Sequence, residues 1–456
     1  MGAICTMKIN QSGVRRKQYL RALKRVPLLN HAVRHTPEGS STREDINRLV
    51  LGPTIHGYIV WLLASALNDG VQRLYFLARD GYLPYQIASE ICRRLKLPIE
   101  CRYFYCSRAA LRIPMYHRDI PQALDHICRG GLHVTPERIM LRAGLETAQA
   151  RAIYSLLALP WAWDEVIPYA RLGEIKKQLA SNEAFLKAMI QASVDAFPAL
   201  DAYFRQTGIL EAGHFAVVDS GWTGTMQRSI MDICSVCQGQ AELRGYYFGL
   251  YYLPKECDPD LYSSFYFGPD WGLRNKVLLN NNLFETVFSA PHGTVTGYRQ
   301  LEHGVEPLLN APRPEIMDYI QGFAKQTAEL TQVLLEELTV DKLAAIPTAQ
   351  LRSMSTGLLR RFMYAPTKLE AEDFGTLPFS DDLHDAGTQQ LAEKLTAREL
   401  WQHHVIPRIL KLLGLVTGET RQSAWFEGSA ARCCHFNLWH LLSYHVYKLL
   451  LYSRRR

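Results

Sequence analysis

The hydrophobic pattern along the chain alternates between short continuous apolar runs and longer segments with helical spacing. Leu74-Tyr75-Phe76-Leu77 is a continuous run of the kind expected for a strand buried on both faces, and Tyr82 to Leu95 then resumes a helical rhythm. Similar runs at Cys101 to Cys106, His214 to Val218 and Tyr246 to Tyr252 predict further strands. Because these strands alternate with helices, the pattern predicts an α/β fold built on a parallel sheet.

The segments around this core are predicted to be helical. Residues 1–50 look like a basic helical lead-in, and the α/β core is assigned to residues 51–118 and 210–311. Residues 119–209 have helical spacing with breaks but no convincing strand, which predicts a helical insertion, or hood. After an irregular stretch that follows Pro291-His292-Gly293, helical spacing predicts a C-terminal helical domain at residues 312–456.

Composition and charge set limits on function. The 456 residues are 48% hydrophobic and 21% charged, which is ordinary for a globular protein. The net charge of +7 suits anionic substrates or an anionic membrane surface, and it does not indicate nucleic-acid binding. The longest apolar stretch, Tyr58 to Leu67, has ten residues, roughly half of what a membrane-spanning helix needs. We therefore expect no transmembrane segment.

The ten cysteines favour reduced thiols in the cytosol, because most lie in apolar runs and no secretory signal precedes them. Cys234 and Cys237 have a zinc-type spacing, but no second Cys/His pair at ligand spacing lies near them in sequence. The sequence therefore favours a structural role for these two cysteines.

Polar loops follow three of the predicted strands, at the ends where ligands bind in open parallel sheets. Arg79-Asp80-Gly81 follows the first strand, Ser107-Arg108 the second, and Asp219 to Thr225 the third. Small residues, hydroxyls and backbone N–H groups suit a phosphate, while arginines suit a pyrophosphate through bidentate contacts. Aspartates suit ribose hydroxyls, a metal ion or a proton. The sequence therefore predicts one phosphate-handling site built from these loops.

The third loop carries a family resemblance. Val217-Val218-Asp219-Ser220-Gly221-Trp222-Thr223-Gly224-Thr225 resembles the phosphoribosyl-diphosphate loop of type I phosphoribosyltransferases. The segments Gly52-Pro53 to Trp61, Tyr75 to Tyr82, Tyr105 to Arg108 and Asp219 to Trp222 resemble proteins encoded in bacterial surface-polysaccharide clusters. Those proteins often join a phosphoribosyltransferase-like module to a haloacid-dehalogenase-type phosphatase. The likeness covers roughly residues 50–300 and extends weakly into the helices beyond.

The resemblance implies a ribofuranosyl transfer in the cytoplasm. 5-Phosphoribosyl diphosphate, accompanied by Mg²⁺, would donate ribose 5-phosphate to a sugar hydroxyl of a lipid-linked glycan. Asp219 would bind the ribose hydroxyls, and Asp80 would either engage the Mg²⁺ or take the acceptor proton. The implied donor-binding residues are Arg79 and Arg108 for pyrophosphate, Thr223, Gly224 and Thr225 for the 5-phosphate, and Gly81, Ser107, Ser220 and Gly221 around them.

The 5-phosphate would be removed by a separate phosphatase chain. Haloacid-dehalogenase-type phosphatases need a second aspartate two residues after the nucleophile, and Asp219-Ser220-Gly221 has glycine at that position. The Asp80 loop lacks the second acid as well. Two alternatives stay open: another phosphate-handling, glycan-modifying enzyme that uses the same loops, and a non-catalytic protein that binds a phosphosugar or scaffolds polysaccharide assembly.

Two further features concern the acceptor. Glu285 and His292, downstream of the sheet, are candidate acceptor-binding residues, either of which could act as general base for a sugar hydroxyl. The alternative is a capped helix end with a surface histidine. The segment from Asn437 to Arg456 is aromatic and basic-ended, which suits peripheral contact with an anionic bilayer as well as a helix docked on the protein.

Overall fold

A five-stranded parallel sheet forms the centre of the protein in a computed structural model that describes residues 2–131, 134–157, 159–239, 242–379, 389–412, 423–433 and 437–453. The strand order is β2-β1-β3-β4-β5, and all four pairings are parallel. The predicted α/β class with a parallel sheet is therefore confirmed. The strands are β1 Arg73–Leu77, β2 Glu100–Phe104, β3 Phe215–Trp222, β4 Arg244–Leu250 and β5 Tyr262–Phe267.

The continuous apolar run in β1 is explained by burial on both faces of the sheet. Leu74 and Phe76 face one core, Tyr75 and Leu77 face the other, and all four are buried. A strand covered on both sides has no solvent face, so its sequence does not alternate between polar and apolar residues.

Helices account for most of the rest of the described chain. The lead-in and first half of the core contain α1 Gly2–Leu23, α2 Pro27–His35, α3 Thr42–Ile46, α4 Gly52–Asn68, α5 Tyr82–Leu95 and α6 Arg108–Arg112. The predicted insertion contains α7 Ile120–Ile127, α8 Pro136–Arg142, α9 Thr147–Ser155, α10 Leu172–Ser181 and α11 Glu183–Thr207. The second half of the core adds α12 Thr225–Val236, α13 Leu273–Leu278 and α14 Asn281–Val287.

The C-terminal region is helical as well, apart from a two-residue strand pair. Its helices are α15 Pro314–Glu337, α16 Val340–Ala345, α17 Thr348–Leu359, α18 Lys368–Gly375, α19 Ala397–Gln402, α20 Val405–Leu412, α21 Phe426–Cys433 and α22 Asn437–Ser453. The short strands β8 Pro378–Phe379 and β9 Gln389–Gln390 pair antiparallel.

Within the α/β core, the strands differ from the predicted pattern at three places. The stretch after Gly293, expected to be irregular, contains the antiparallel hairpin β6 Val295–Leu301 and β7 Gly304–Leu309. The edge strand β5 was missed, because it begins with the polar sequence Tyr-Ser-Ser and its first half is only partly buried. Residues 219–222 were expected to be loop, but β3 continues through them because Gly221 and Trp222 still pair with β4.

The two faces of the sheet pack against different layers. One face shares a large core with α4, α5, the lead-in helices and α15 to α18 of the C-terminal region. The other face packs on α11, α12 and the β6–β7 hairpin. Helix α11 joins two cores, since Phe185 and Met189 lie in the core of the insertion while Leu200 and Phe204 pack on the sheet. The insertion is thereby fixed to the sheet by one long helix.

The lead-in is tied to the C-terminal helices by a buried charge pair. Arg15 Nη2 lies 2.9 Å from Glu370 Oε2, and the Tyr19 hydroxyl donates to Glu370 Oε1 at 2.8 Å. One helical run in the described chain, Thr42–Asn68, is long and apolar enough to cross a membrane, and 89% of its most apolar window is buried inside the protein.

Candidate active site

The candidate site lies where the chain reverses its direction across the sheet. From β1 the chain passes to β2 on one side, whereas β3 pairs with β1 on the other side. The loops after β1 and β3 therefore diverge and leave a crevice at the carboxyl ends of these strands, the position where open parallel sheets bind ligands. Asp80 follows β1, and Asp219 lies near the end of β3.

Three acidic side chains meet in this crevice. The Ser220 hydroxyl donates a hydrogen bond to Asp80 Oδ2 and so ties the β3 end to the β1 loop. Glu285, on α14, accepts a hydrogen bond of 2.6 Å from the indole nitrogen of Trp222. Asp80, Asp219 and Glu285 all line the same cleft.

Burial and mutual repulsion raise the pKa values of the two aspartates. Burial first, and then the neighbouring Glu285, raise the pKa of Asp80 to about 7, although Ser220, Arg79 and Arg108 act in the opposite direction. Burial, Asp80 and Glu285 also raise the pKa of Asp219 well above its ordinary value. Like charges at one site make a bound proton or a cation favourable.

The cleft around these acids has a volume of about 590 Å³. Its lining includes ten residues named from the sequence as site candidates, namely Arg79, Asp80, Ser107, Arg108, Asp219, Ser220, Gly221, Thr223, Thr225 and Glu285. The three loops after β1, β2 and β3 thus face one space, large enough for a sugar phosphate.

Two glycines predicted to bind the donor do not line the cleft. Gly224 caps α12 in the left-handed conformation, with φ +63°, and a Cβ there would lie 2.6 Å from the Tyr262 ring. Gly81 caps α5, and a Cβ there would lie 2.5 Å from the Leu77 carbonyl oxygen. Both glycines shape the backbone of a cleft loop.

Gly221 does line the cleft, and its absence of a side chain is also needed for strand pairing. Its φ is +128°, and a Cβ there would lie 1.9 Å from the Gly249 carbonyl oxygen on β4. The paired glycines let β3 and β4 stay together up to Trp222, which places the indole beside Glu285.

The loop after β2 is held by Ser107. Its hydroxyl accepts from the Ala110 backbone N–H at 3.0 Å and donates to the Val295 carbonyl oxygen at 2.6 Å. Ser107 therefore caps α6 and joins it to the β6–β7 hairpin. Arg108, the first residue of α6, is close enough to both aspartates to lower their pKa values.

His292 lies beside the cleft, with both ring nitrogens engaged. Its Nδ1 lies 2.8 Å from the Gly293 carbonyl oxygen, to which it must donate, so Nε2 accepts from the Tyr103 hydroxyl, 2.8 Å away. Burial lowers the pKa of His292 and keeps the ring neutral. His292 lines an adjoining small cavity that it shares with Arg79 and Glu285. Of the two acceptor candidates, only Glu285 reaches the main cleft.

Sequence reasoning missed a group of arginines that line the cleft on the insertion side: Arg112, Arg129 and Arg142. Arg112 lies one helical turn after Arg108 on α6, and its Nε atom is buried without a hydrogen-bond partner among the described residues. Burial, Arg108 and Arg129 lower the pKa of Arg112 to about 10. The spacing of Arg108 and Arg112 could have indicated that both lie on one helix face.

No protein-family model matches the chain, and no curated protein matches it.

The arrangement of acids and arginines in the cleft is suited to an anionic ligand that brings its own cation. No group of three or more His, Cys, Asp and Glu side chains in the described ranges is arranged to hold a metal ion. Mg²⁺ commonly binds through one or two carboxylates together with substrate phosphates, and Asp80 and Asp219 offer the oxygen ligands it prefers.

Proposed function

We propose that the protein is a phosphoribosyltransferase-type glycosyltransferase. In this proposal it transfers ribofuranose 5-phosphate from 5-phosphoribosyl diphosphate to a sugar hydroxyl of a lipid-linked surface polysaccharide and releases pyrophosphate. The transfer takes place in the cytoplasm, at the inner face of the membrane, and a separate phosphatase then removes the 5-phosphate. The observation that supports this best is the convergence of two aspartates, two loop arginines and the Thr223–Thr225 turn on one cleft at the switch point of a parallel sheet.

The negative charges of the donor match the positively charged groups of the cleft. Arg79 and Arg108 bind the pyrophosphate, and the threonine hydroxyls with the N-terminus of α12 bind the 5-phosphate. Arg112 and Arg129 extend the pyrophosphate site toward the insertion. Both line the cleft, and the charges of Arg108 and Arg129 both lower the pKa of Arg112. Mg²⁺ carried with the donor would neutralise part of the phosphate charge, and Asp219 would help to hold it, which leaves Asp80 free to act as a base.

The reaction is a substitution at the anomeric carbon of the ribose. The acceptor oxygen forms a bond to C1 while the C1–O bond to the diphosphate breaks, and the electron pair leaves with pyrophosphate. Asp80 takes the acceptor proton, because a carboxylate with a pKa of about 7 is matched to proton transfer near neutral pH. Attack opposite the leaving group inverts C1 and gives a β-ribofuranoside. Asp219 holds the ribose hydroxyls during the displacement.

Donor binding is tested by thermal unfolding with 5-phosphoribosyl diphosphate and Mg²⁺. A ligand at about one hundred times its Kd adds roughly 2.7 kcal/mol of stability, so we expect the Tm to rise by several degrees. Arg108→Gln should lose most of this rise, whereas Arg118→Gln should keep it, because Arg118 is an exposed arginine of the same region that does not line the cleft. Equal protection of both variants would contradict the assigned pyrophosphate site.

A non-catalytic phosphosugar-binding protein would give the same protection. Incubation with a glycan acceptor separates the two functions, because the transferase releases pyrophosphate and a binding protein leaves the donor intact.

A further inference from the structure

The C-terminal helices α19, α20 and α22 present an apolar surface that nothing in the described chain covers. Helix α22 has six exposed apolar side chains: Leu438, Trp439, Leu442, Val446, Leu449 and Leu450. At 3.6 residues per turn these positions fall within one arc of about 120°. Trp401, Ile406 and Ile409, on the adjoining α19 and α20, are exposed as well. These nine residues form the apolar surface.

The orientation of α22 is fixed by a buried charge cluster on its opposite side. Lys448 Nζ donates to the Leu279 carbonyl oxygen at 3.1 Å and lies 3.5 Å from Glu427 Oε1. His445 Nε2 lies 3.2 Å from the same carboxylate oxygen. Lys448 is anchored inward about 140° around the helix from the middle of the apolar arc, so the arc points outward, in agreement with the exposure of its six side chains. A helix docked on a soluble protein normally has polar residues on that face.

We propose that the apolar surface docks the protein on an anionic lipid bilayer. Leucine, valine and tryptophan side chains on one face of a helix bind at the boundary between headgroups and acyl chains, and tryptophan favours that depth. Segments 401–412 and 437–456 contain no Asp or Glu, while Arg408 and Lys411 belong to α20 and the sequence continues with three arginines directly after Ser453. The placement of those three arginines lies outside the described residues.

The charge pattern favours a bilayer over a second copy of the chain. A two-fold interface would bring the same basic, acid-free segments face to face, and like charges at an interface oppose association. An anionic bilayer has the complementary charge, and each basic residue near it contributes favourably.

Docking by this surface would hold the cleft near the membrane. Tyr452, at the end of α22, lines the cleft and stacks on Tyr251, with ring centroids 5.0 Å apart. The same helix therefore borders both the bilayer and the proposed site. This inference stands apart from the proposed reaction, because vesicle binding requires neither donor nor transfer.

The test measures flotation of the whole protein with lipid vesicles. We expect the wild type to bind vesicles of phosphatidylcholine mixed with phosphatidylglycerol more strongly than vesicles of phosphatidylcholine alone, and to bind less at high salt. The double variant Leu442→Gln, Val446→Gln should bind the anionic vesicles at least about tenfold more weakly, because two apolar side chains no longer enter the bilayer.

A matched control lies elsewhere on the protein. Leu156 and Val194 are 69% and 46% exposed, compared with 58% and 46% for Leu442 and Val446. Leu156→Gln, Val194→Gln should therefore bind vesicles as the wild type does. The proposal is overturned if the wild type does not float with anionic vesicles, or if both double variants bind equally. It is also overturned if sedimentation shows a wild-type dimer that the Leu442→Gln, Val446→Gln variant loses, since the surface then joins two copies. A protein that binds vesicles but transfers no ribose phosphate would fail only the proposed function.

Discussion

At the scale of single residues, the raised pKa of Asp80 is the property of the site that stability measurements can test. Its raised pKa means that the folded protein holds a proton that the unfolded chain releases above about pH 4. The free energy of unfolding therefore falls as the pH rises from about 4 to about 7, and this penalty is fully present above pH 7. A residue that lowers the stability of the folded protein at neutral pH is typical of a functional site.

Asp80→Asn should remove this penalty, since the amide oxygen can still accept the Ser220 hydrogen bond. Part of the Asp80 side chain is exposed to the cleft, which moderates the effect. We therefore expect Asp80→Asn to increase the free energy of unfolding by on the order of 1–3 kcal/mol above pH 7, with no increase near pH 4. Chemical denaturation across this pH range measures it. A gain that is independent of pH would contradict the raised pKa.

Asp201→Asn serves as a control of opposite sign. Burial alone would raise the pKa of Asp201, but the hydrogen bonds and charge of Arg205 and a hydrogen bond from Cys237 together outweigh burial and lower the pKa. The paired carboxylate therefore adds stability above the unfolded pKa, and that stability is lost as the pH falls through the folded pKa. Asp201→Asn should accordingly lower stability at neutral pH and have little effect in acid.

Arg112 distinguishes a ligand site from a structural cation. Because its Nε is buried without a partner in the described chain, Arg112→Gln should not lower thermal stability. The affinity for pyrophosphate should fall about tenfold, the loss of one charge-assisted hydrogen bond. Product inhibition by pyrophosphate measures the change, with Arg118→Gln as the control. Unchanged inhibition would remove Arg112 from the pyrophosphate site.

At the scale of elements, the turn between β3 and α12 is set by Gly224. Gly224→Ala places a Cβ at positive φ and against Tyr262, so it should cost at least about 1–2 kcal/mol of stability. Gly322→Ala is the matched control, because Gly322 lies within α15 with nothing within 4 Å of its added Cβ. That variant should gain about 0.5–1 kcal/mol. If urea denaturation finds the two variants equally stable, the left-handed cap is refuted.

The sequence predicted the central strands and the edge strand β2, but it missed β5 and the β6–β7 hairpin. The apolar run Leu74 to Leu77 indicated β1, and the position of Asp80 and Asp219 at strand ends indicated that they would meet. The edge strand β5 and the β6–β7 hairpin gave no such run, since each has only part of its length in the core.

Contacts between distant segments of the chain were beyond sequence reasoning. The engagement of His292 by Tyr103 depends on β2 and the loop before β6 coming together. Arg129 reaches the cleft only because the insertion folds back over it, and no local pattern near Arg129 indicates this.

At the scale of the whole molecule, the cleft is bordered by parts of the chain that lie far apart in sequence. The sheet and the segments that follow its strands supply the two aspartates with Arg79, Arg108 and Arg112. The insertion supplies Arg129 and Arg142, and α22 supplies Tyr452. A glycan acceptor is larger than the small molecules that a compact transferase handles, and the helical walls offer it a binding surface. We therefore propose that the donor reacts at the ends of the sheet strands and that the acceptor binds between the helices.

The most direct test of this account is transfer itself. Purified protein is incubated with 5-phosphoribosyl diphosphate, Mg²⁺ and a panel of lipid-linked and synthetic glycans, and the products are analysed by mass spectrometry. The wild type should add the mass of one ribose phosphate residue to an acceptor in the panel and release pyrophosphate. Asp219→Asn should reduce this at least about tenfold without lowering the thermal transition, because it removes a charge-assisted hydrogen bond to the donor while it also relieves a buried, repelled carboxylate. Asp232→Asn, which alters an exposed acid on α12 paired with Arg228, should leave transfer intact. Full transfer by Asp219→Asn, or no ribose phosphate adduct on any glycan of the panel, would contradict the account.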